Sequence, residues 1–272
     1  MLADNTKISQ RERLCHTMVW LSSLLFFSKY DNGEMIMRSY TLDEARNIVM
    51  RCAKQYERNL LGRSFLVIYR DRVDNLIKEL EIFFGEYNYQ HLTGIELIDN
   101  DGKVREHVAS LFFDKCLKNA LKKDEFQFKS DGTTNLKLAA LPVIMQIHKV
   151  TKIAGNYNCV RPYLVADKLV GNVNFCLGLK KDWKQGGYVP ASSLLEDIKV
   201  LTDVQSQVLA IFSKEKEEVV YERIRHVAKG INLNNITLPE NIRSKISLGK
   251  YEPKEIKKKQ IQMIFLSFQT TL

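Results

Sequence analysis

The stretch that decides the fold reads SFLVIYR at residues 64–70 and IKELEIFF at residues 77–84. The first run is short, apolar and rich in residues that favour strands, which predicts a buried β-strand. The second run is its expected hairpin partner, although the segment IKELE also suits a helix. We therefore predict that an antiparallel sheet begins at this hairpin.

Helical patterns flank the hairpin. The spacing of apolar residues predicts four helices in the first 150 residues, over residues 8–29, from Thr41 to near Gly62, over 104–119 and over 133–149. Thr41 and Glu44 have the form of a capping box at the start of the second helix. The last helix is expected to tolerate Pro142 or to kink there.

A further strand is predicted at residues 172–179, where apolar side chains alternate with small or polar ones. Residues 163–169 are its expected partner strand, with the bend near Gly171. This register places Asn172 and Asn174 on the same face of the sheet.

Beyond about residue 195 the pattern becomes helical, over residues 200–212 and 214–230. The predicted fold class is therefore α+β, with N-terminal helices packed on a small antiparallel sheet and a C-terminal helical extension. We divide the chain into an N-terminal helical extension (1–45), an α+β domain (46–198) and a C-terminal helical region (199–272).

Composition favours an intracellular protein with an anionic partner. The 272 residues carry 41 basic and 32 acidic side chains, a net charge of +9, and residues 129–168 hold six basic against two acidic ones. Such a local excess favours nucleic acid, although a lysine-rich surface alone would also produce it. Five cysteines without a C-x-x-C pair make a disulfide scaffold or a zinc ribbon improbable and predict a reducing, cytoplasmic environment. The apolar run at residues 17–27 is too short to span a bilayer.

Three polar segments could carry chemistry: residues 89–95, residues 129–137, and residues 155–157 together with 167–172. Cleavage of RNA without a metal needs a base, an acid and fixed positive charge on the phosphate. A histidine suits proton transfer near neutral pH, and lysines, hydroxyls and a helix N-terminus suit phosphate. On its local sequence alone, a histidine such as His91 is more often structural, and residues 129–134 more often form a turn and a helix cap. No metal-ligand, P-loop, dinucleotide-binding or nucleophile-elbow motif occurs in the sequence.

The order of these motifs resembles a known family. HLTGI (91–95), FQFKSDGTTNLK (126–137), GNY (155–157), DKLVGN (167–172) and CLG (176–178) together resemble the phage-type Barnase–EndoU–colicin–RelE-like nuclease family, its fourth group, over about residues 50–200. Asn156 stands where relatives often carry an acidic residue, so no carboxylate role is transferred to it.

This resemblance implies a barnase/EndoU/RelE-like fold and an endoribonuclease that acts as a toxin or as an effector of a phage or mobile element. It implies 2′-hydroxyl attack to a 2′,3′-cyclic phosphate without a cofactor or metal. The expected catalytic residues are His91, as general acid or base, Thr93, Lys129 and Lys168. The expected substrate- or phosphate-binding residues are Ser130, Asp131, Thr133, Thr134, Tyr157, Arg161, Asn172 and Asn174.

The expected partners are RNA, either tRNA or mRNA, and an inhibitor or immunity protein, and no membrane is expected. Two alternatives stay open at this point. One is a module on the same fold that binds RNA or protein without catalysis. The other is a phage counter-defence protein that binds a small nucleotide.

Overall fold

A computed structural model describes residues 29–31, 34–36, 38–159, 165–249 and 251–253. Its helices are α1 (Leu42–Asn59), α2 (Glu86–Thr93), α3 (Ala109–Leu117), α4 (Thr134–Ile144), α5 (Ile147–Val150) and α6 (Glu240–Arg243). Its strands are β1 (Lys29–Asp31), β2 (Glu34–Ile36), β3 (Arg63–Arg70), β4 (Ile77–Phe83), β5 (Ile95–Leu97), β6 (Phe126–Phe128), β7 (Ile153–Asn156), β8 (Lys168–Gly171), β9 (Cys176–Asp182), β10 (Gly187–Leu194), β11 (Ser206–Glu215) and β12 (Arg223–Val227).

Seven of these strands form a closed barrel. Their order is β11-β3-β4-β10-β9-β8-β7, and β7 pairs back onto β11 through Ser206 with Ala154. A ring with an odd number of strands cannot alternate direction throughout, and the parallel pair is β4 with β10, where Tyr188 lies opposite Ile82. β12 extends the sheet outside the ring by pairing with β11. Two short pairs, β1–β2 and β5–β6, stand apart from it.

The barrel corrects the predicted fold class. The sequence predicted helices packed on a small antiparallel sheet, whereas the structure has mixed α/β content dominated by a closed barrel. The helices predicted at 200–212 and 214–230 are wrong, because β11 and β12 occupy those segments and β11 closes the ring. β11 is apolar on both faces: Ile211 packs in one core cluster, and Ala210 and Phe212 pack in another.

Two local predictions are confirmed. β3 and β4 form an antiparallel hairpin whose pairs run from Ser64 with Phe83 to Arg70 with Ile77. α1 begins with the expected capping box, in which Glu44 N donates to Thr41 Oγ1 at 3.2 Å and Thr41 N donates to Glu44 Oε2 at 2.9 Å. The helix predicted at 8–29 lies outside the described residues, apart from Lys29 in β1.

Other elements are shorter than predicted. The helix expected at 104–119 is α3, and the helix expected at 133–149 is divided into α4 and α5, with Pro142 inside α4 and the break after Ile144. The strand expected at 172–179 begins only at Cys176. The placement of Asn172 and Asn174 on one strand face is therefore wrong, because both lie in the turn between β8 and β9, where Asn172 N donates to Phe175 O.

The largest apolar cluster joins the barrel strands to α1, α2, α3 and α4. Within it, the ring of Tyr56 lies 5.1 Å from that of Tyr89 and 5.6 Å from that of Phe113. α2 is fixed to the barrel by Ser193 Oγ, which donates to Leu92 O at 3.2 Å. The end of α2, which carries His91, is therefore held by the core.

None of the helices in the described part of the chain combines the length and the apolar character needed to cross a membrane.

Candidate active site

The carbonyl of Gly94 joins two of the polar segments. α2 ends at Thr93, and Gly94 follows in the left-handed region with φ 69°. Its carbonyl oxygen accepts hydrogen bonds from Lys129 N at 2.9 Å and from Thr134 Oγ1 at 2.6 Å. The short pair β5–β6 continues this contact, with Ile95 opposite Phe128. Residues 91–95 and 126–137 are thereby brought together.

Only glycine fits at position 94. The positive φ is strained for a residue with a side chain, and an added Cβ would lie 2.9 Å from Thr134 Cα and 3.2 Å from Lys137 Cδ. The side chain of Lys137 is therefore packed directly on this turn, which immediately follows the helix that carries His91.

His91 occupies the last turn of α2 with an exposed side chain. The surrounding chain removes part of the water from its ring, and this desolvation lowers its pKa, aided by the positive charges of Lys137 and Lys129. A histidine whose pKa lies below its usual value of about 6.5 is neutral at pH 7, so His91 can accept a proton there.

Lys137 also lies at this candidate site, although its sequence context did not predict it. It is buried, with 8% of its surface exposed, and within the described residues its Nζ has no hydrogen bond or ion pair. Burial lowers its pKa, the nearby Asp131 opposes this, and Lys129 adds to it. One feature of the sequence could have indicated it: Lys137 is the only charged side chain in α4 and lies one helical turn after Thr133.

The loop before α4 presents polar groups at the surface. Lys129, Ser130 and Asp131 are exposed, and Lys129 Nζ lies 3.5 Å from Asp131 Oδ2. Asp131 Oδ1 accepts from Thr133 N at 2.9 Å and from Thr133 Oγ1 at 2.7 Å. Partial burial acts to raise the pKa of Asp131, but these hydrogen bonds and the charges of Lys137 and Lys129 lower it. The carboxylate is therefore ionised beside the two lysines.

Thr93 and Thr134 are buried, and their hydroxyls bond to the backbone. Thr93 Oγ1 donates to Gln90 O at 2.8 Å and accepts from Ile95 N at 3.1 Å. Thr134 Oγ1 accepts from Lys129 N at 3.1 Å as well as donating to Gly94. Both hydroxyls position the turn, and neither has a proton left to donate to a phosphate.

The third polar segment lies elsewhere. Lys168 Nζ donates to Asn156 Oδ1 at 2.7 Å, and the charges that act on Lys168 are those of Asp71, Lys78, Lys181 and Asp167, none of which acts on His91. Two of the three polar segments therefore converge, and Lys168 belongs to a second location.

The remaining predicted binding residues do not join His91 either. Tyr157 is buried in a separate apolar cluster with Leu169 and Cys176. Asn172 donates from its side chain to Val150 O at 3.2 Å and accepts from Asn174 N at 2.8 Å, which closes the β8–β9 turn. Arg161 lies outside the described residues.

No three histidine, cysteine, aspartate or glutamate side chains are grouped for a metal ion in the part of the chain that the structure describes.

Comparison with known proteins assigns the chain to a family. The model of the family described as "phage-Barnase-EndoU-ColicinE5/D-RelE like nuclease 4" matches residues 48–230. The chain belongs to this nuclease-like family. The match covers the barrel from within α1 through β12 and includes the site around His91. No curated protein and no solved structure matches the chain.

Proposed function

We propose that this member of the nuclease-like family is an endoribonuclease that cleaves RNA at the site formed by His91, Lys129 and Lys137. The observation that carries the proposal is the joint at Gly94, which sets an exposed, neutral histidine beside two lysines from a distant segment. Membership of a nuclease-like family and the net charge of +9 support a nucleic-acid substrate.

In the proposed reaction, His91 removes the proton from a ribose 2′-hydroxyl, and the 2′-oxygen attacks the adjacent phosphorus. The bond from phosphorus to the 5′-oxygen breaks, and Lys137, as an ammonium, donates a proton to that leaving oxygen. The products are a 2′,3′-cyclic phosphate and a free 5′-hydroxyl. Protonated His91 and neutral Lys137 then return to their starting states by proton exchange with water.

The same environment tunes both groups in the required direction. Burial and the charges of Lys137 and Lys129 lower the pKa of His91, which favours the neutral base. Burial and the charge of Lys129 lower the pKa of Lys137, which makes its ammonium a stronger acid. Lys129 is exposed beside them and supplies positive charge to the phosphate as negative charge develops. No step in this scheme requires a metal ion.

We further propose that the substrate is cytoplasmic tRNA or mRNA, and that the protein acts as a toxin or phage effector restrained by an inhibitor protein. The family description and the basic charge support this role.

The test is cleavage of total RNA and of tRNA with EDTA present, using His91→Asn and Lys137→Met variants. Loss of a positioned acid or base lowers the rate by about 10²–10⁴-fold, so both variants are expected to lose nearly all cleavage. His107→Asn is the matched control, because His107 is an exposed histidine with φ 55° that asparagine also adopts. Equal rates for His91→Asn and the unmodified protein would refute the assignment. Salt-dependent RNA binding without any product would favour a non-catalytic binder instead.

A further inference from the structure

One end of the barrel opens into a cavity of about 220 Å³. We call this the barrel mouth and define its polar lining as Tyr69, Asp71, Lys78, Asn156, Lys168 and Ser206, in which the carboxylate of Asp71 is paired with Lys78. The proposed nuclease site uses none of these residues. The barrel mouth contains the motif residue Lys168 that the nuclease site leaves without a role.

Lys168 is the cation of this cavity that lacks a carboxylate partner. Its Nζ donates to the neutral amide oxygen of Asn156, and no ion pair to it occurs among the described residues. Lys78, by contrast, pairs with Asp71 Oδ2 at 2.8 Å and with Asp74 Oδ2 at 2.7 Å. The charges of Asp71 and Asp167 act on Lys168 without forming an ion pair with it, so its partly desolvated ammonium can still be stabilised by an incoming anion.

Two hydroxyls add donors to the same cavity. The hydroxyl of Tyr69 has no hydrogen-bond partner among the described residues, although the residue is only 8% exposed. Ser206 Oγ accepts from Arg72 N at 3.4 Å, which leaves its proton free to be donated. An ammonium and two hydroxyls that line one cavity suit the oxygen atoms of a phosphate group.

An exposed tryptophan, Trp183, directly follows β9 and is linked to the barrel mouth through Lys181. Lys181, whose charge acts on Lys168, places its Nζ 4.9 Å from the ring centre of Tyr188 and 5.8 Å from that of Trp183. Trp183 is 86% exposed at the β9–β10 turn. An aromatic ring left in solvent next to lysines is typical of a surface on which a nucleic-acid base stacks.

We propose that the barrel mouth is a nucleotide-binding site in which Lys168, Tyr69 and Ser206 hold the phosphate and the base stacks on Trp183. A cavity of about 220 Å³ is smaller than the 300–1,000 Å³ typical of sites for whole drug-sized ligands, so the base lies outside it. The nucleotide is either a free mononucleotide or one unit of a single-stranded RNA. The site binds it independently of cleavage at His91.

The experiment is titration calorimetry on the full chain carrying His91→Asn, so that bound RNA is not cut. The probes are adenosine 5′-monophosphate, uridine 5′-monophosphate and a short single-stranded RNA without secondary structure. Adding Lys168→Met is expected to weaken binding at least tenfold, since a charge-assisted hydrogen bond is lost. Lys180→Met is the matched control, because Lys180 is exposed on the neighbouring strand β9, outside the cavity lining, and its substitution removes the same charge.

Two further variants keep the test decisive. Tyr69→Phe removes only one hydroxyl and is expected to weaken binding several-fold, even if Lys168→Met does not fold. Inorganic phosphate is a further probe. Trp183→Ala is expected to weaken the binding of the nucleotides but not that of inorganic phosphate. Binding of RNA but not of mononucleotides identifies the RNA strand as the source of the ligand. The proposal is overturned if Lys168→Met or Tyr69→Phe binds the probes as tightly as the parent protein, or if no probe binds. Neither outcome bears on the cleavage assay, which tests the site at His91 separately.

Discussion

The hydroxyl of Thr134 donates a hydrogen bond to the carbonyl oxygen of Gly94 at 2.6 Å, across 40 positions of sequence. The same carbonyl also accepts from Lys129 N. This contact is buried, whereas His91 and Lys129 are exposed. The geometry of the proposed active site therefore depends on an internal joint, and substitutions there test it without touching a reacting group.

Replacing Thr134 with valine keeps the shape of the side chain and removes both hydrogen bonds. Lys129 N still donates to Gly94 O, so the cost is that of two lost hydroxyl hydrogen bonds, about 0.5–1.5 kcal/mol of unfolding free energy for each. Urea denaturation measures the loss, and RNA cleavage should fall with it. Thr133→Val is the comparison, since its hydroxyl bonds to the exposed Asp131. A Thr134 variant no less stable than the Thr133 variant would contradict the role of the joint.

Gly94 and Gly132 provide a matched pair of glycines. Both have positive φ, 69° and 73°, but an added Cβ contacts Thr134 and Lys137 only at Gly94 and meets nothing within 4 Å at Gly132. Gly132→Ala is expected to cost about 1–2 kcal/mol through backbone strain alone. Gly94→Ala is expected to cost more and to abolish cleavage by displacing Lys137. Thermal denaturation of both variants, with cleavage assays below the transition, checks this, and equal losses would argue against the close packing.

The rate of cleavage should depend on pH in a bell shape. The rate should fall at low pH because His91 becomes protonated, with a pKa below its usual value of about 6.5. It should fall at high pH because Lys137 loses its proton, with a pKa below its usual value of about 10.4. Lys129→Met removes a positive charge that lowers both pKa values, so both limbs should move to higher pH. The shifts should stay below about one pH unit because the lost charge is solvent-exposed.

Asp131→Asn should act on one limb only. Asp131 raises the pKa of Lys137 and is not among the charges that act on His91. Its loss should move the high-pH limb to lower pH and leave the low-pH limb in place. Rate profiles of the two variants under single-turnover conditions distinguish these effects, and a parallel shift of both limbs in Asp131→Asn would contradict the assignment of the high-pH limb to Lys137.

Glu196 should make stability depend on pH. It is 6% exposed, its Oε1 has no hydrogen-bond partner among the described residues, and burial raises its pKa to about 7. Because the folded state holds this proton more tightly than the unfolded state, stability contributed by the protonated form is lost as pH rises from about 4.3 towards 7. The loss is about 3 kcal/mol. Glu196→Gln should remove it.

Urea denaturation of both proteins from pH 4 to pH 8 measures the difference. The glutamine variant should gain stability relative to the parent as pH rises, while the pH dependence of all other groups cancels. A difference that does not change with pH would show that Glu196 is ionised in the folded protein.

The sequence predicted features whose cause is local. The capping box of α1 and the β3–β4 hairpin depend on neighbouring residues, and both are confirmed. β11 was mistaken for a helix because Leu209, Ala210 and Ile211 are all buried, so no alternation of polar and apolar residues marks a strand covered on both faces. Closure of the barrel through two residues of β7 has no local signature.

The proposed site was predictable to a similar extent. His91 and residues 129–134 were recognised because motif order and residue type pointed to phosphate chemistry. Lys137 was missed because its role depends on packing against Gly94, which sequence spacing does not reveal. Lys168 was grouped with His91 because order along the chain does not determine which end of a barrel a residue occupies.

The ring is completed by β11, the last of its seven strands in chain order. Phe65 on β3 pairs with Ser213 on β11, so β3, buried on both faces, has one edge without its partner during most of synthesis. A nascent chain that stops before residue 206 would expose this apolar edge to other chains. Premature termination should therefore yield aggregation-prone fragments that lack a closed barrel.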